Sequence, residues 1–192
     1  MLSQDRYIIC NAATKAGKQV AGMLLKHNCH VILAGPNYSL LSALEKELNE
    51  ESRNLEVALL EPSKEIDWQN LSESLKGRSL SGIIHIHELK SENKDFFETS
   101  YVQFSAIIDD QLWGTYLSAK ILTRLFSAEQ KGNMIHLLDA HKHSLHYPMI
   151  NRALESLIET IQQELQQENI NVKYIELRDE SVEDLLSAHI LN

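Results

Sequence analysis

Short apolar runs alternate with segments of helical period along almost the whole chain. The runs are Tyr7–Cys10, His30–Ala34, Leu55–Leu60, Gly82–His87, Asn133–Leu138 and Val172–Leu177. Several are continuously apolar, as expected of strands covered on both faces. Between them, apolar residues recur at helical spacing over Lys15–Lys26, Tyr38–Asn49, Trp68–Lys76, Tyr101–Ala128, Tyr147–Gln167 and Val182–Ile190. Strictly alternating strands and helices predict a three-layer α/β domain. Its sheet is parallel and doubly wound, with right-handed crossovers and strand order 3-2-1-4-5-6. Gly82, Gly132 and Pro36-Asn37 punctuate the joins. No composition break divides the chain, so residues 1–192 read as one domain.

One helical segment departs from the simple pattern. Tyr101–Ala128 carries more apolar positions than one sheet contact needs, and Asp109, Asp110 and Gln111 interrupt it. An exposed acidic turn on a core-facing helix is the expectation there.

Composition narrows the function classes. The 192 residues carry a net charge of −9 and are 43% apolar. That acidity disfavours nucleic acid and anionic membrane as partners, since both need a basic surface. No apolar run is long enough to cross a bilayer. The N-terminal stretch lacks a basic, signal-like start, so a cytoplasmic location is expected. Cys10 and Cys29 fall at opposite ends of neighbouring strands, which predicts two buried thiols and no disulfide.

Three stretches carry a resemblance. ICNAATKAGKQVAGMLL (Ile9 to Leu25) has the place of a V-T-G-x-x-x-G-x-G turn, and IIDDQLWGTYLSAKIL (Ile107 to Leu122) that of a V-I-D-V-N-L-x-G-T helix. YPMINRALESLIETIQQELQQENINVKYIEL (Tyr147 to Leu177) has that of a Y-x-x-x-K helix and the strand after it. In this respect the chain resembles the short-chain dehydrogenase/reductase family, in a divergent and truncated form, over about residues 6 to 178. The resemblance implies a Rossmann-type nicotinamide-dinucleotide-binding domain.

It also implies where function sits, and there the motifs are degenerate. In the family's first turn, glycines let the backbone approach the cofactor pyrophosphate; here those places hold Ala12, Ala16 and Lys18. Asn11, Thr14 and Lys15 complete the turn, and Lys15 with Lys18 could attract a phosphate. Ala34-Gly35-Pro36-Asn37 offers no charge for selecting the ribose. Glu61 stands near the adenine-contacting acid, and His85-Ile86-His87-Glu88 replaces the small residues under the nicotinamide. Gln111 matches the family's helix asparagine, Asp139 falls near the serine, and Asn151 replaces the lysine. Only Tyr147 of the catalytic set is retained. A phenol with pKa near 10 needs a neighbouring cation to ionise near neutral pH, and Asn151 supplies none.

These losses point to a catalytically inactive protein that acts through contacts with an unidentified protein partner. The resemblance adds a homodimer built on the two long helices. No cofactor, or weak NADP(H) alone, is expected. The alternative is a divergent NADP(H)-dependent oxidoreductase using Tyr147. More remote is a metal-dependent activity at a histidine-rich edge formed by His85, His87, His136, His141, His143 and His146. No spacing such as H-E-x-x-H occurs, so the expectation is a structural histidine edge with no metal, titrating between about pH 5 and 7.

Overall fold

The computed structural model describes residues 5–49, 54–88, 98–126, 132–139 and 146–177; the side chains of Asn49, Asp139, His146 and Tyr147 are not among the described ones. The expected last helix, Val182–Ile190, and the loop with His141 and His143 lie outside the described residues.

Six strands form one parallel sheet: β1 (Arg6–Cys10), β2 (His30–Gly35), β3 (Leu55–Leu59), β4 (Gly82–His87), β5 (Gly132–Asp139) and β6 (Ile170–Leu177). Their order is β3-β2-β1-β4-β5-β6, as the alternating pattern predicts. Side chains alternate across each strand, so every strand feeds two cores. Tyr7, Ile9, Val31, Leu33, Ile84 and Ile135 pack against α1 (Lys15–Lys26) and α2 (Tyr38–Asn49). Ile8, Ile32, Ile83, Met134 and Val172 pack against α3 (Glu65–Ser74), α5 (Gly114–Leu122) and α6 (His146–Glu164). Each fully buried Leu or Ile contributes about 1.5–3 kcal/mol of burial free energy.

The described elements depart from the expected ones at their ends, for local reasons. α3 begins at Glu65, ahead of the first apolar position, because Glu65 and Asp67 suit the positive end of the helix dipole. α6 stops at Glu164, and a short 3-10 turn ends at Asn169, whose φ of 56° breaks the helix. The long segment from Tyr101 is not one α-helix. It comprises α4 (Tyr101–Ile108), a π-helical turn at Asp109–Trp113, α5, and a 3-10 turn at Thr123–Leu125. Asp109 and Asp110 are exposed, as expected of the acidic turn. Phe126 is extended and bridges Leu80, which ends the helical run there.

Both cysteines are buried and free. Burial pushes the Cys29 thiol up to about 11 and the Cys10 thiol further still, so neither is a thiolate near neutral pH. Among the described residues no helix is long and apolar enough to cross a membrane.

The join of β1 to α1 is the tightest backbone approach at the sheet's C-terminal edge. A Cβ placed on Gly17 would lie 2.3 Å from the carbonyl oxygen of Ala12. That oxygen belongs to main chain and cannot swing away. Gly17→Ala should therefore destabilise the protein by about 1–3 kcal/mol, read as a lower urea midpoint at unchanged slope.

Candidate functional site

The strand order reverses between β1 and β4, and in doubly wound sheets ligands bind outside the strand ends at that point. A cleft of about 220 Å³ opens there. Asn11 lines it from β1, Pro36 from β2, His87 and Glu88 from β4, and Gln111 from the π turn.

The first turn has the backbone of an anion site, with one of its donors, the Gly17 amide, already engaged. Asn11 adopts φ 59°, a left-handed conformation that asparagine tolerates better than most residues. Its Nδ2 donates to the carbonyl of Ile86 at 3.2 Å, tying the end of β1 to that of β4. Thr14 caps α1: its hydroxyl oxygen accepts from the amide of Gly17 at 3.0 Å. That amide is one of the donors a helix N-terminus offers an anion. Ala12 is fully buried within the α1 core, so its methyl faces packing. Ala16 is half-buried and Lys15 exposed. Lys18, read from sequence as able to attract a phosphate, forms an exposed ion pair with Glu47 of α2. At the ribose-selecting position, the Asn37 side chain accepts from the amide of Leu40 at 3.1 Å and caps α2.

Glu61 follows β3, and its amide donates to Asp67 Oδ2 at 2.9 Å. The cleft wall beside it is Pro62, whose carbonyl accepts from Trp68 Nε1 at 2.8 Å. Gly114 packs so closely on Pro62 that an added Cβ would lie 2.8 Å from its Cβ.

The floor of the cleft is a cluster of imidazoles. His85 and His136 are register partners on β4 and β5, and their rings are parallel, 4.8 Å apart. His87 joins them one step along β4. Its Nδ1 donates to Gln111 Oε1 at 2.8 Å, and its Nε2 lies 3.1 Å from His136 Nδ1. His85 Nε2 lies 2.9 Å from Ser118 Oγ, which itself donates to the carbonyl of Thr115. Among the described residues, His136 Nε2 is buried without a hydrogen-bond partner. The π turn carries Gln111, which contacts His87, and Thr115 Oγ1 donates to the Gln111 carbonyl at 2.6 Å.

Partner chemistry assigns the protons. Gln111 Oε1 only accepts, so His87 carries hydrogen on Nδ1 and a lone pair on Nε2. His136 Nδ1 then donates to His87, which leaves its Nε2 a bare lone pair. Ser118 has committed its hydrogen to Thr115, so His85 donates through Nε2.

The expected titration between pH 5 and 7 needs correction for these three rings. Burial holds His85 and His136 well below the ordinary histidine range, with the neighbouring rings adding to it. Burial brings His87 down to about 4, against the opposing bond to Gln111. An imidazole removed from water loses the solvation of its cation, so the neutral form is favoured.

The catalytic positions of the resemblance fall on β5, the π turn and α6. Gln111 is in place beneath the cleft, and Asn151 sits half-buried near the start of α6. Asp139 is the last residue of β5 and Tyr147 is in the first turn of α6, though neither side chain is described.

No protein-family model and no curated protein sequence matches the chain. Solved structures do. A short-chain type dehydrogenase/reductase from Mycobacterium ulcerans superposes with a TM-score of 0.85 at 17% identity, over 100% of this chain and 85% of that one. The 3-ketoacyl-(acyl-carrier-protein) reductase of Brucella melitensis, complexed with NADH, gives 0.80 at 15% identity, covering 92% and 76%. L-sorbose reductase of Gluconobacter frateurii, complexed with NADPH and L-sorbose, gives 0.78 at 16%, covering 91% and 69%. The chain has the short-chain dehydrogenase/reductase fold. At these identities the likeness concerns architecture, which places the imidazole cluster at the strand ends of a Rossmann-type sheet.

The neutral cluster sets a pH dependence. The unfolded chain binds protons on these histidines near pH 6.5, whereas the folded chain does so only at lower pH. Their contribution is thus complete above about pH 7 and is lost as pH falls from about 6.5 toward 4. Each such histidine steepens the loss by up to about 1.4 kcal/mol per pH unit. Urea unfolding in EDTA between pH 7.5 and 4.5 should show a steep fall that becomes shallower in His87→Gln. A flat profile would contradict it.

Proposed function

We propose that this protein has left nicotinamide-dependent hydride transfer and acts through protein contacts, as a cytoplasmic homodimer. The observation that carries this reading is His87 at the floor of the cleft, held from both sides by Gln111 and His136. Hydride transfer needs the nicotinamide fixed close to the substrate carbon. An imidazole in a buried network takes up the space under that ring. The turn that would hold the pyrophosphate has its Gly17 amide capped by Thr14 and its Lys18 paired with Glu47. A cleft of about 220 Å³ is also small beside the roughly 300–1,000 Å³ of ordinary ligand pockets.

Asn151 is neutral, so a proton-transferring Tyr147 would have only about one part in a thousand as phenolate at pH 7. Fluorescence titration with NADPH and NADH should show dissociation constants no tighter than about a millimolar. Any residual affinity should favour NADPH, because Lys15 is exposed at the turn. Asn151→Lys should remain without carbonyl reductase activity, since it leaves the floor unchanged.

A second reading, a divergent NADP(H)-dependent oxidoreductase using Tyr147, draws on the open switch-point cleft and on structural neighbours complexed with NADPH or NADH. Micromolar NADPH binding, with carbonyl reduction abolished by Tyr147→Phe, would establish it in place of the first.

The dimer is supported by apolar exposure on the helices that the resemblance assigns to the interface. Tyr101 and Val102 are 83% and 74% exposed, and Trp113 and Tyr116 form an exposed stacked pair with centroids 5.4 Å apart. Light scattering should give twice the chain mass at about tens of micromolar. The double change Trp113→Glu, Tyr116→Glu should give a folded monomer.

A further inference from the structure

We propose that His85, His87 and His136 form a binding site for one divalent transition-metal ion that prefers imidazole, such as zinc or cobalt, with its open position toward the cleft. The nearest nitrogens of the three rings all lie within 4.8 Å of one another, and each residue is buried. Zinc–imidazole bonds of about 2.0–2.1 Å place tetrahedral ligand atoms roughly 3.3 Å apart. His87 Nε2 and His136 Nδ1, at 3.1 Å, already have almost that spacing. An ion bound to both nitrogens displaces the hydrogen between them and sits to one side of the line joining them.

The supporting bonds have the form that metal-bound histidines need. A ligating imidazole donates its other N–H to an oxygen, which fixes the tautomer and the ring. His87 does so to Gln111, and His85 to Ser118, whose own hydrogen is engaged by Thr115. Both residues therefore present a lone pair on the remaining nitrogen. His136 becomes a ligand by moving its hydrogen from Nδ1 to Nε2, so no proton is released by the rings; unlike the other two, that N–H has no acceptor among the described residues.

Three further features bear on the site. His85 and His87 line the cleft while His136 lies behind them, so an ion enters from solvent and keeps a face open to it. Glu88 and Asp110 line the same cleft and lower the cost of placing a dication there. A metal lies in the plane of each ligand ring, and the rings of His85 and His136 are only 8° from parallel. The pairs His85–His87 and His87–His136 are also within 16° and 23° of parallel, so binding requires at least two of the rings to turn, His136 among them.

The test uses full-length protein without a histidine tag, stripped by chelator and titrated with Co²⁺ under equilibrium dialysis and visible spectroscopy. One equivalent should bind, with the d–d absorption of a four- or five-coordinate nitrogen site, and Zn²⁺ should displace it. Histidine ring ¹⁵N resonances of three residues should shift together. Gln111→Ala, which leaves the ligands intact, should weaken binding by about 10- to 100-fold. His136→Asn, checked for folding by circular dichroism, should abolish it. Absence of stoichiometric binding in the folded wild type would overturn the proposal. So would binding of equal affinity in Gln111→Ala, because that would place the ion on other histidines.

Discussion

All six residues of β4 are buried, and two of them are histidines. A central strand of a doubly wound sheet is covered on both faces, so its side chains meet other side chains and not water. An imidazole there is neutral and must find partners. The rest of the C-terminal edge is arranged around that requirement. Gln111 is delivered by a π turn, Ser118 reaches down from α5, and His136 stands in register on the neighbouring strand. The C-terminal ends of β4 and β5 therefore carry a buried polar network.

The architecture was legible because strands buried on both faces leave an unmistakable mark in sequence. Gly82–His87 emerges with the expected bounds, as do the helices Lys15–Lys26 and Tyr38–Asn49. Those segments have strong periodicity and clear ends. Weaker ends were set by chemistry that hydrophobic pattern does not carry: acidic side chains at the start of α3, and a left-handed Asn169 after α6.

The site was legible only residue by residue. His85, His87 and Gln111 were each placed at the cleft from the resemblance, but their mutual contact was not. Spacing along one strand puts His85 and His87 on the same face; His136 was read at the same edge, and the register then sets it directly beside His85. The π turn left one trace, the Asp109-Asp110-Gln111 interruption of an apolar helix. That trace read as a surface turn, and Asp109 and Asp110 are indeed exposed, yet the third residue of the same turn faces inward to His87. The roles of Thr14 and Asn37 as helix caps were also hidden, since each occupied a position read for its contact with a cofactor.

The chain has two tryptophans, and they occupy opposite environments. Trp68 is fully buried with its ring centroid 6.1 Å from that of His85, whereas Trp113 is exposed beside Tyr116. Their emission therefore separates by colour. The blue component reports the cleft floor, where a protonated imidazole or a paramagnetic ion beside Trp68 quenches it. The red component reports the outer helix surface, where any contact that buried Trp113 would shift it. The molecule thus carries two built-in optical probes, one for the cleft floor and one for the exposed aromatic pair.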